Sequence, residues 1–405
     1  MKKSRVVVTG IGVIASNGQH REEFFHTIIN GDSGLKKSTL LEKMKIGSTS
    51  IAGEVAKSFI DNKFLDEEKS LAMGYQAINE AILDSGLEKS EFKSGGMRCG
   101  LSISTSIAGQ SNKVKHIESK LQNSESDPRW LIEFPDFSRK IASFCGISGP
   151  TYTTVSACAA GTAGAGIAID QIRDGKVDFM IVVGMDMLAG ISAAGFHSLE
   201  SMSEKGCTPF DKNRDGTSLG EGAAAFIVET LDHAMSRNAH IYGELLGYGL
   251  SNDAYHITSP DPEGEGAIRA MTMALEDAGL QPEDIDYINV HGTATQLNDV
   301  MESRAILKLL NNEEKKVLIS STKAVTGHCL GAAGSIELAV ILMAVDRNVA
   351  PLTANLSEVP EQFNELNLVK GNSVNKEIKY AMSNSFAFSG NAASILVGKV
   401  EEGLK

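Results

Sequence analysis

The stretch Thr153-Thr154-Val155-Ser156-Ala157-Cys158-Ala159-Ala160-Gly161 sets a cysteine where a β-branched run gives way to a helix of alanine and glycine. Unpaired N–H groups and the positive dipole end at a helix start favour thiolate over thiol. A thiolate in a narrow site suits acyl transfer onto sulfur. Burial as a small hydrophobe is the ordinary fate of a lone cysteine, and Cys99, Cys145, Cys207 and Cys329 are read that way. Two histidines carry a complementary pattern. Tyr287-Ile288-Asn289-Val290-His291-Gly292-Thr293-Ala294-Thr295 is a strand ending in histidine, and Ser320 to Gly331 is a second strand end with His328 before a Gly/Ala helix. Strand ends face the edge of an α/β sheet, where sites form. Two neutral imidazole N–H groups aimed at one thioester carbonyl would stabilise an enolate left by a departing carboxylate. Metal ligation is the competing use. No HxxxH, HxH or CxxC spacing supports it, so no metal is expected.

These residues need elements to place them. Apolar β-type runs alternate with Ala-rich helical runs, the signature of an α/β chain. Strands are predicted at Arg5–Thr9, Phe179–Val183, Ala224–Glu229, Tyr287–Val290, Val317–Ser320 and Ile395–Gly398. Helices are predicted at Lys69–Ser85, Gly161–Arg173, Gly266–Ala278, Asp299–Leu310 and Gly334–Val345. Ala81 to Leu87 resembles Ala274 to Leu280, an offset of 193 (280 − 87). Ala157 to Gly161 loosely matches Gly327 to Gly331, an offset of 170 (327 − 157). Two matches in the same order predict two similar halves, 1–240 with the cysteine and 241–405 with both histidines.

Composition bounds the setting. The 405 residues suit one large or two fused domains. A net charge of −13 argues against nucleic acid as partner. No apolar run reaches the roughly 18 residues of a membrane span. Met1-Lys2-Lys3 runs straight into Val6-Val7-Val8, too short for a signal segment. Five cysteines without pairing pattern favour a reducing, cytoplasmic compartment.

With these residues in hand, the chain resembles the β-ketoacyl-[acyl carrier protein] synthases, of the synthase II type, within the thiolase-like superfamily. The resemblance runs from Val7-Val8-Thr9-Gly10-Ile11-Gly12 to Ser383-Asn384-Ser385-Phe386. Between them lie the Cys158 turn, Pro209 to Gly216, Gly220 to Ala224, Asp253 to Thr258, His291 to Thr293 with Leu297-Asn298-Asp299, and Lys323 to Glu337. It implies an α/β thiolase-like fold of two similar halves, layered α-β-α-β-α with mixed sheets. It implies that Cys158 takes an acyl group from phosphopantetheine, and that His291 and His328 promote decarboxylation of a malonyl-carrier protein and hold the enolate. The oxyanion hole would be the backbone N–H groups of Cys158 and Phe388, Lys323 with Glu337 the supporting ion pair, and Phe388 with Phe386 the gating segment. Thr258, Thr293 and Thr295 would contact the pantetheine arm, and Ile107 would line the acyl pocket. No bound cofactor is implied; the partners are an acyl carrier protein and a second copy of the chain, with a heterodimer as alternative.

Departures from the resemblance are also legible. Ala387 and Ser389 replace glycines of the gating stretch, and Asp186 stands where glutamate is common. A glycine replaced where φ is positive costs energy. Lys63, Lys69, Lys205, Lys212 and Arg214 are the docking candidates for an acidic carrier, beside an acidic Asp66-Glu67-Glu68. Rival readings are a dinucleotide oxidoreductase, from the GxGxxA of Gly10 to Ala15, a non-catalytic pocket-shaping subunit, and a thiolase, which would need a late cysteine as base.

Overall fold

A computed structural model describes residues 4–46, 50–108, 110–122, 134–311 and 316–400. Its central element is a run of ten paired strands: β1 (Val6–Ala15), β2 (Cys99–Ser104), β3 (Thr151–Thr154), β4 (Phe179–Asp186), β5 (Gly222–Thr230), β6 (Gly243–Asn252), β7 (Tyr287–Asn289), β8 (Leu318–Ser320), β9 (Tyr380–Phe386) and β10 (Asn391–Gly398). Their order is β8-β7-β9-β10-β6-β1-β5-β4-β2-β3. Each half of that order repeats the other. β2 lies parallel to β3 and β4, while β5 runs antiparallel to β4 and β1. Likewise β7 lies parallel to β8 and β9, while β10 runs antiparallel to β9 and β6. The halves join where Val7 and Val8 of β1 pair with Glu244 and Gly243 of β6.

Seven helices matter for the site: α1 (Lys69–Ser85), α2 (Gln110–Leu121), α3 (Ala160–Arg173), α4 (Gly190–Ser198), α5 (Glu265–Ala278), α6 (Gln296–Leu310) and α7 (Ala333–Arg347). α1 covers one half-sheet and α5 the other, while α3 and α7 touch strands of both halves and each other. The result is a helix–sheet–helix–sheet–helix layering, the fold that the resemblance implies. α7 is buried from Ala333 through Val345, which suits its nearly all-apolar sequence.

Close backbone approach fixes both covering helices. A β-carbon at Gly12 of β1 would lie 2.0 Å from the carbonyl oxygen of Ala77 in α1; one at Gly249 of β6 would lie 2.0 Å from that of Ala270 in α5. Ala77 and Ala270 are 193 apart (270 − 77), the offset read from sequence. The second sequence match is corrected. Ala157 and Leu330 both take positive φ, 49° and 53°, each opening a tight turn before α3 or α7. They stand 173 apart (330 − 157), so the offset of 170 was slipped by three residues, and Cys158 corresponds to Gly331.

The GxGxxA reading is also corrected. Gly10 and Gly12 lie inside β1, not in a loop opening a helix, and the next helix begins only at Arg21. Their missing side chains admit α1, and no phosphate cradle forms.

Candidate active site

The two central helices cross backbone to backbone at their N-terminal ends. A β-carbon at Gly161 would lie 2.4 Å from Ser335 N, and one at Gly334 would lie 2.7 Å from Thr162 N. Glycine at both positions lets the turns before α3 and α7 meet. Cys158 sits in the first turn and His328 ahead of the second, and Cys158 Sγ lies 3.1 Å from His328 Nε2. His291 follows the end of β7, with its ring centroid 5.3 Å from that of His328 and nearly perpendicular to it.

Lys323 contacts His291 of this pair. Its ammonium bonds Glu337 and the His291 carbonyl, and lies 3.4 Å from His291 Nδ1. An ammonium can only donate, so Nδ1 accepts and the His291 proton sits on Nε2. Burial, reinforced by the Lys323 charge, holds both imidazoles well below their usual 6.5. They are therefore neutral at physiological pH, each with one nitrogen that donates and one that accepts.

Burial acts on the thiol as well and overturns one expectation. Cys158 lies at the helix-start turn as read from sequence, yet desolvation pushes its thiol up to about 12, with Lys323 pulling the other way. Burial therefore favours the thiol over the thiolate, and His328 Nε2 lies in contact with it. Cys99, Cys145, Cys207 and Cys329 are buried free thiols, as read from sequence.

The triad opens on a cavity of about 220 Å³. Thr258, Thr293, Thr295, Phe386 and Phe388 line it with Cys158, His291 and His328. The Thr293 and Thr295 hydroxyls are 2.9 Å apart, and the Phe386 ring stands edge-on to His291 at 6.0 Å. Ile107 does not line this cavity; it lies in the turn after β2, with its N–H on Asp186. Of the two glycine replacements, Ala387 has φ −132°, an extended conformation any residue adopts, so no cost arises there. Ser389 has φ 66° and bears the cost. Asn252 ties this segment down, donating to Ser389 O at 2.8 Å and Asn391 Oδ1 at 3.0 Å, while Ser389 N donates to Ile257 O at 2.9 Å.

Several docking candidates are committed elsewhere. Arg214 is 4% exposed, packed on the Phe363 ring beside Asp299. Lys69 pairs with buried Glu221, Lys212 with Glu358 and Lys63 with Asp61. Glu68, expected on an acidic surface, is buried and caps α1. Lys205 is exposed.

Three contributors have no role in the sequence reading, although Asp299 stands in one of its motifs. Glu302 accepts from His291 N and Gly292 N, both at 2.8 Å, and Asp299 accepts from Phe210 N and Ala294 N. Burial raises both carboxyls, Glu302 to about 7. Their signal was in the sequence: Asp299 and Glu302 fall on the helical stripe of Ile306 and Leu310, where a charge needs a partner. Phe196 of α4 bridges His328 and Phe388, with ring centroids 6.0 and 5.1 Å away.

A thiol touching one neutral histidine and neighbouring a second, between two similar halves, defines a thiolase-like condensing acyltransferase. The beta-ketoacyl synthase N-terminal domain matches residues 3–234 and its C-terminal domain residues 242–357. The 3-oxoacyl-[acyl-carrier-protein] synthase 2 of Coxiella burnetii is 37% identical over 99% of this chain and 100% of its own length. A solved structure described as the ishigamide ketosynthase/chain length factor superposes with a TM-score of 0.91, at 30% identity, over 98% of this chain and 100% of its own. A type II polyketide synthase acyl-carrier protein in complex with its ketosynthase, AntDE:AntF, contains a chain matching at TM-score 0.89 and 31% identity, over 99% and 100%. The chain belongs to the beta-ketoacyl synthase family and is a ketosynthase, an acyltransferase.

Proposed function

We propose that this chain joins an acyl group held on Cys158 to malonyl-acyl carrier protein with loss of CO2, giving a 3-oxoacyl-acyl carrier protein in fatty acid or specialised polyketide synthesis. The observation that carries the reading is the 3.1 Å contact of Cys158 Sγ with His328 Nε2 beside a neutral His291. The sequence of bonds follows. His328 takes the thiol proton, sulfur attacks the incoming thioester, and the pantetheine thiol leaves with a proton. The malonyl C–CO2 bond then breaks and its electron pair becomes an enolate, held by the N–H of His291 and of His328. The enolate carbon attacks the acyl carbonyl, whose oxyanion meets the backbone N–H groups of Cys158 and Phe388; as the carbonyl re-forms the Cys158 C–S bond breaks, and the sulfur takes a proton from solvent through His328 to return to the thiol. Lys323 and Glu337 fix His291 in its donor tautomer. Thr258, Thr293 and Thr295 take the pantetheine arm, and Phe386 and Phe388 form the gate. Ile107 belongs to the acyl end, outside the described cavity.

The chain divides as 1–240, carrying Cys158, and 241–405, carrying both histidines. Substrates arrive on the phosphopantetheine of an acyl carrier protein, and no bound cofactor is required. The assembly is a homodimer, and the compartment is the cytoplasm; among the described residues no helix is long and apolar enough to cross a membrane. A non-catalytic subunit is the weaker reading, because Cys158, His291, His328 and Lys323 are all present and converge. The test is mass spectrometry after incubation with acyl- and malonyl-carrier proteins. An acyl adduct on Cys158, absent in Cys158→Ala, followed by a 3-oxoacyl product, is expected. An unmodified Cys158 with every acyl-carrier protein sinks the reading.

A further inference from the structure

Asp186 closes β4 and is wholly buried, yet the chemistry above leaves it without a task. Its Oδ1 accepts from Thr105 Oγ1 at 2.5 Å and Ile107 N at 3.3 Å. Its Oδ2 accepts from Ser106 N at 2.8 Å and Gly331 N at 2.7 Å. Three of these donors lie on the turn after β2, in the half that carries Cys158. The fourth lies three residues beyond His328, in the turn where Leu330 takes φ 53°. The fit is close. A β-carbon at Gly331 would lie 2.5 Å from Ser106 N and 2.7 Å from Asp186 Oδ2. On its other side the His328 segment is held by backbone alone, His328 N donating to Ser218 O and Gly220 N to His328 O.

One carboxylate thus ties the turn that follows His328 to the Thr105–Ile107 turn, whose Thr105 N donates to Thr154 O at 3.2 Å, four residues before Cys158. We infer that Asp186 is a positioning residue, whose four-donor grip on the Thr105–Ile107 turn and on Gly331 holds His328 at proton-transfer distance from Cys158. This rests on the reading of Cys158 and His328 given above. An amide cannot replace the carboxylate. It offers one acceptor oxygen and turns N–H donors toward backbone N–H groups, leaving buried donors unpaired. A displacement of about 1 Å at a reacting pair costs about 100-fold in rate.

The test uses the full-length chain and three variants, Asp186→Asn, Thr105→Val and Gly331→Ala. Two readouts respond to placement rather than to folding alone: the rate of Cys158 alkylation by iodoacetamide, read by intact mass, and kcat against KM for malonyl-carrier protein. Asp186→Asn is expected to lower both the alkylation rate and kcat by about ten-fold or more, with KM within about two-fold of the parent. Thr105→Val, which removes one donor of four, is expected to lower them by about three-fold. Gly331→Ala, which presses the same turns apart, is expected to behave like Asp186→Asn. Should Asp186→Asn fail to fold, the other two variants decide. Alkylation and kcat within two-fold of the parent in every variant that folds overturn the inference. Failure of the underlying reading looks different, because the parent itself would then take no acyl group on Cys158.

Discussion

A neutral imidazole donates to an enolate without surrendering its proton, so the site depends on keeping His291 and His328 uncharged. Burial and Lys323 hold both well below 6.5. The condensation rate is therefore expected to stay flat from about pH 8 to below 6.5 and to fall only further into acid, as a pH–kcat profile would show. Stability has its own signature. Below 6.5 the unfolded chain protonates these histidines while the fold does not, so each weakens the fold as pH falls from there. Glu302 acts oppositely. Its carboxyl sits near 7 in the fold against 4.5 unfolded, so it adds stability as pH falls through 7, complete near 4.5 and about 3 kcal/mol at most. Relative to the parent, His291→Asn should gain in unfolding midpoint between about pH 7.5 and pH 5.5, and Glu302→Gln should lose. Removing Lys323 leaves Glu337, itself lifted by burial to about 7, without its ammonium. Lys323→Ala should cost about 3–5 kcal/mol in denaturant unfolding near pH 8, and less near pH 6, where Glu337 takes a proton. At this scale the convergence of Cys158, His291 and His328 was legible, although His328 does not end a strand as expected: the short helix Lys323–Thr326 separates it from β8. The charge state of Cys158 was not, because it follows from burial against another element, which no local pattern encodes.

Elements are placed by backbone contact as much as by side chains. The glycines of β1 and β6 admit α1 and α5, and those of α3 and α7 let the two catalytic turns meet. Gly12→Ala and Gly249→Ala each drive a methyl group into a helix carbonyl. Each should cost about 3 kcal/mol in denaturant unfolding, and near-equal losses would show that the halves are equivalent. The gating segment gives the opposite sign. Ser389 holds φ 66° with a β-carbon, so Ser389→Gly should relieve about 1 kcal/mol of strain, offset in part by a freer unfolded chain. A raised midpoint, or an unchanged one with faster turnover, fits this; a fall above about 1 kcal/mol does not. The predicted helices are close in span: α1 matches, α3, α5 and α7 start one residue early and α6 three, while α2 and α4 are not predicted. Strands were harder. No strand span is predicted for β2, β3, β6 or β9, and the predicted first strand ends at Thr9 although β1 continues to Ala15. β2 and β4 are buried along their whole length, so their sequences lack the alternation that marks a half-exposed strand.

At the scale of the molecule, the internal repeat was legible because both covering helices end in the same Asp-x-Gly-Leu pattern, and the slip of three at the catalytic turns arose because short Gly/Ala strings align in several registers. Pairing with a second copy is an expectation of the resemblance alone, since it depends on which apolar residues the fold leaves outside. Val114, Ile117 and Leu121 of α2 are 37%, 55% and 78% exposed at helical spacing. Among the described residues β3 ends the strand order, which leaves its outer edge to pair with another strand. Val155, 48% exposed, follows that strand directly and lies three residues before Cys158. A second copy paired at this edge would brace the Cys158 turn from outside, and one seated on α2 would cover the stripe. The purified chain is accordingly expected at twice its own mass in light scattering. Ile117→Lys, which sets a charge in the stripe, should shift it toward monomer and lower acylation of Cys158 in parallel, both recovering as protein concentration rises. A parent that scatters as a monomer and turns over only with a different chain added would instead assign this face to a heterodimer. A monomeric parent that is fully active alone would show that the Cys158 turn needs no brace.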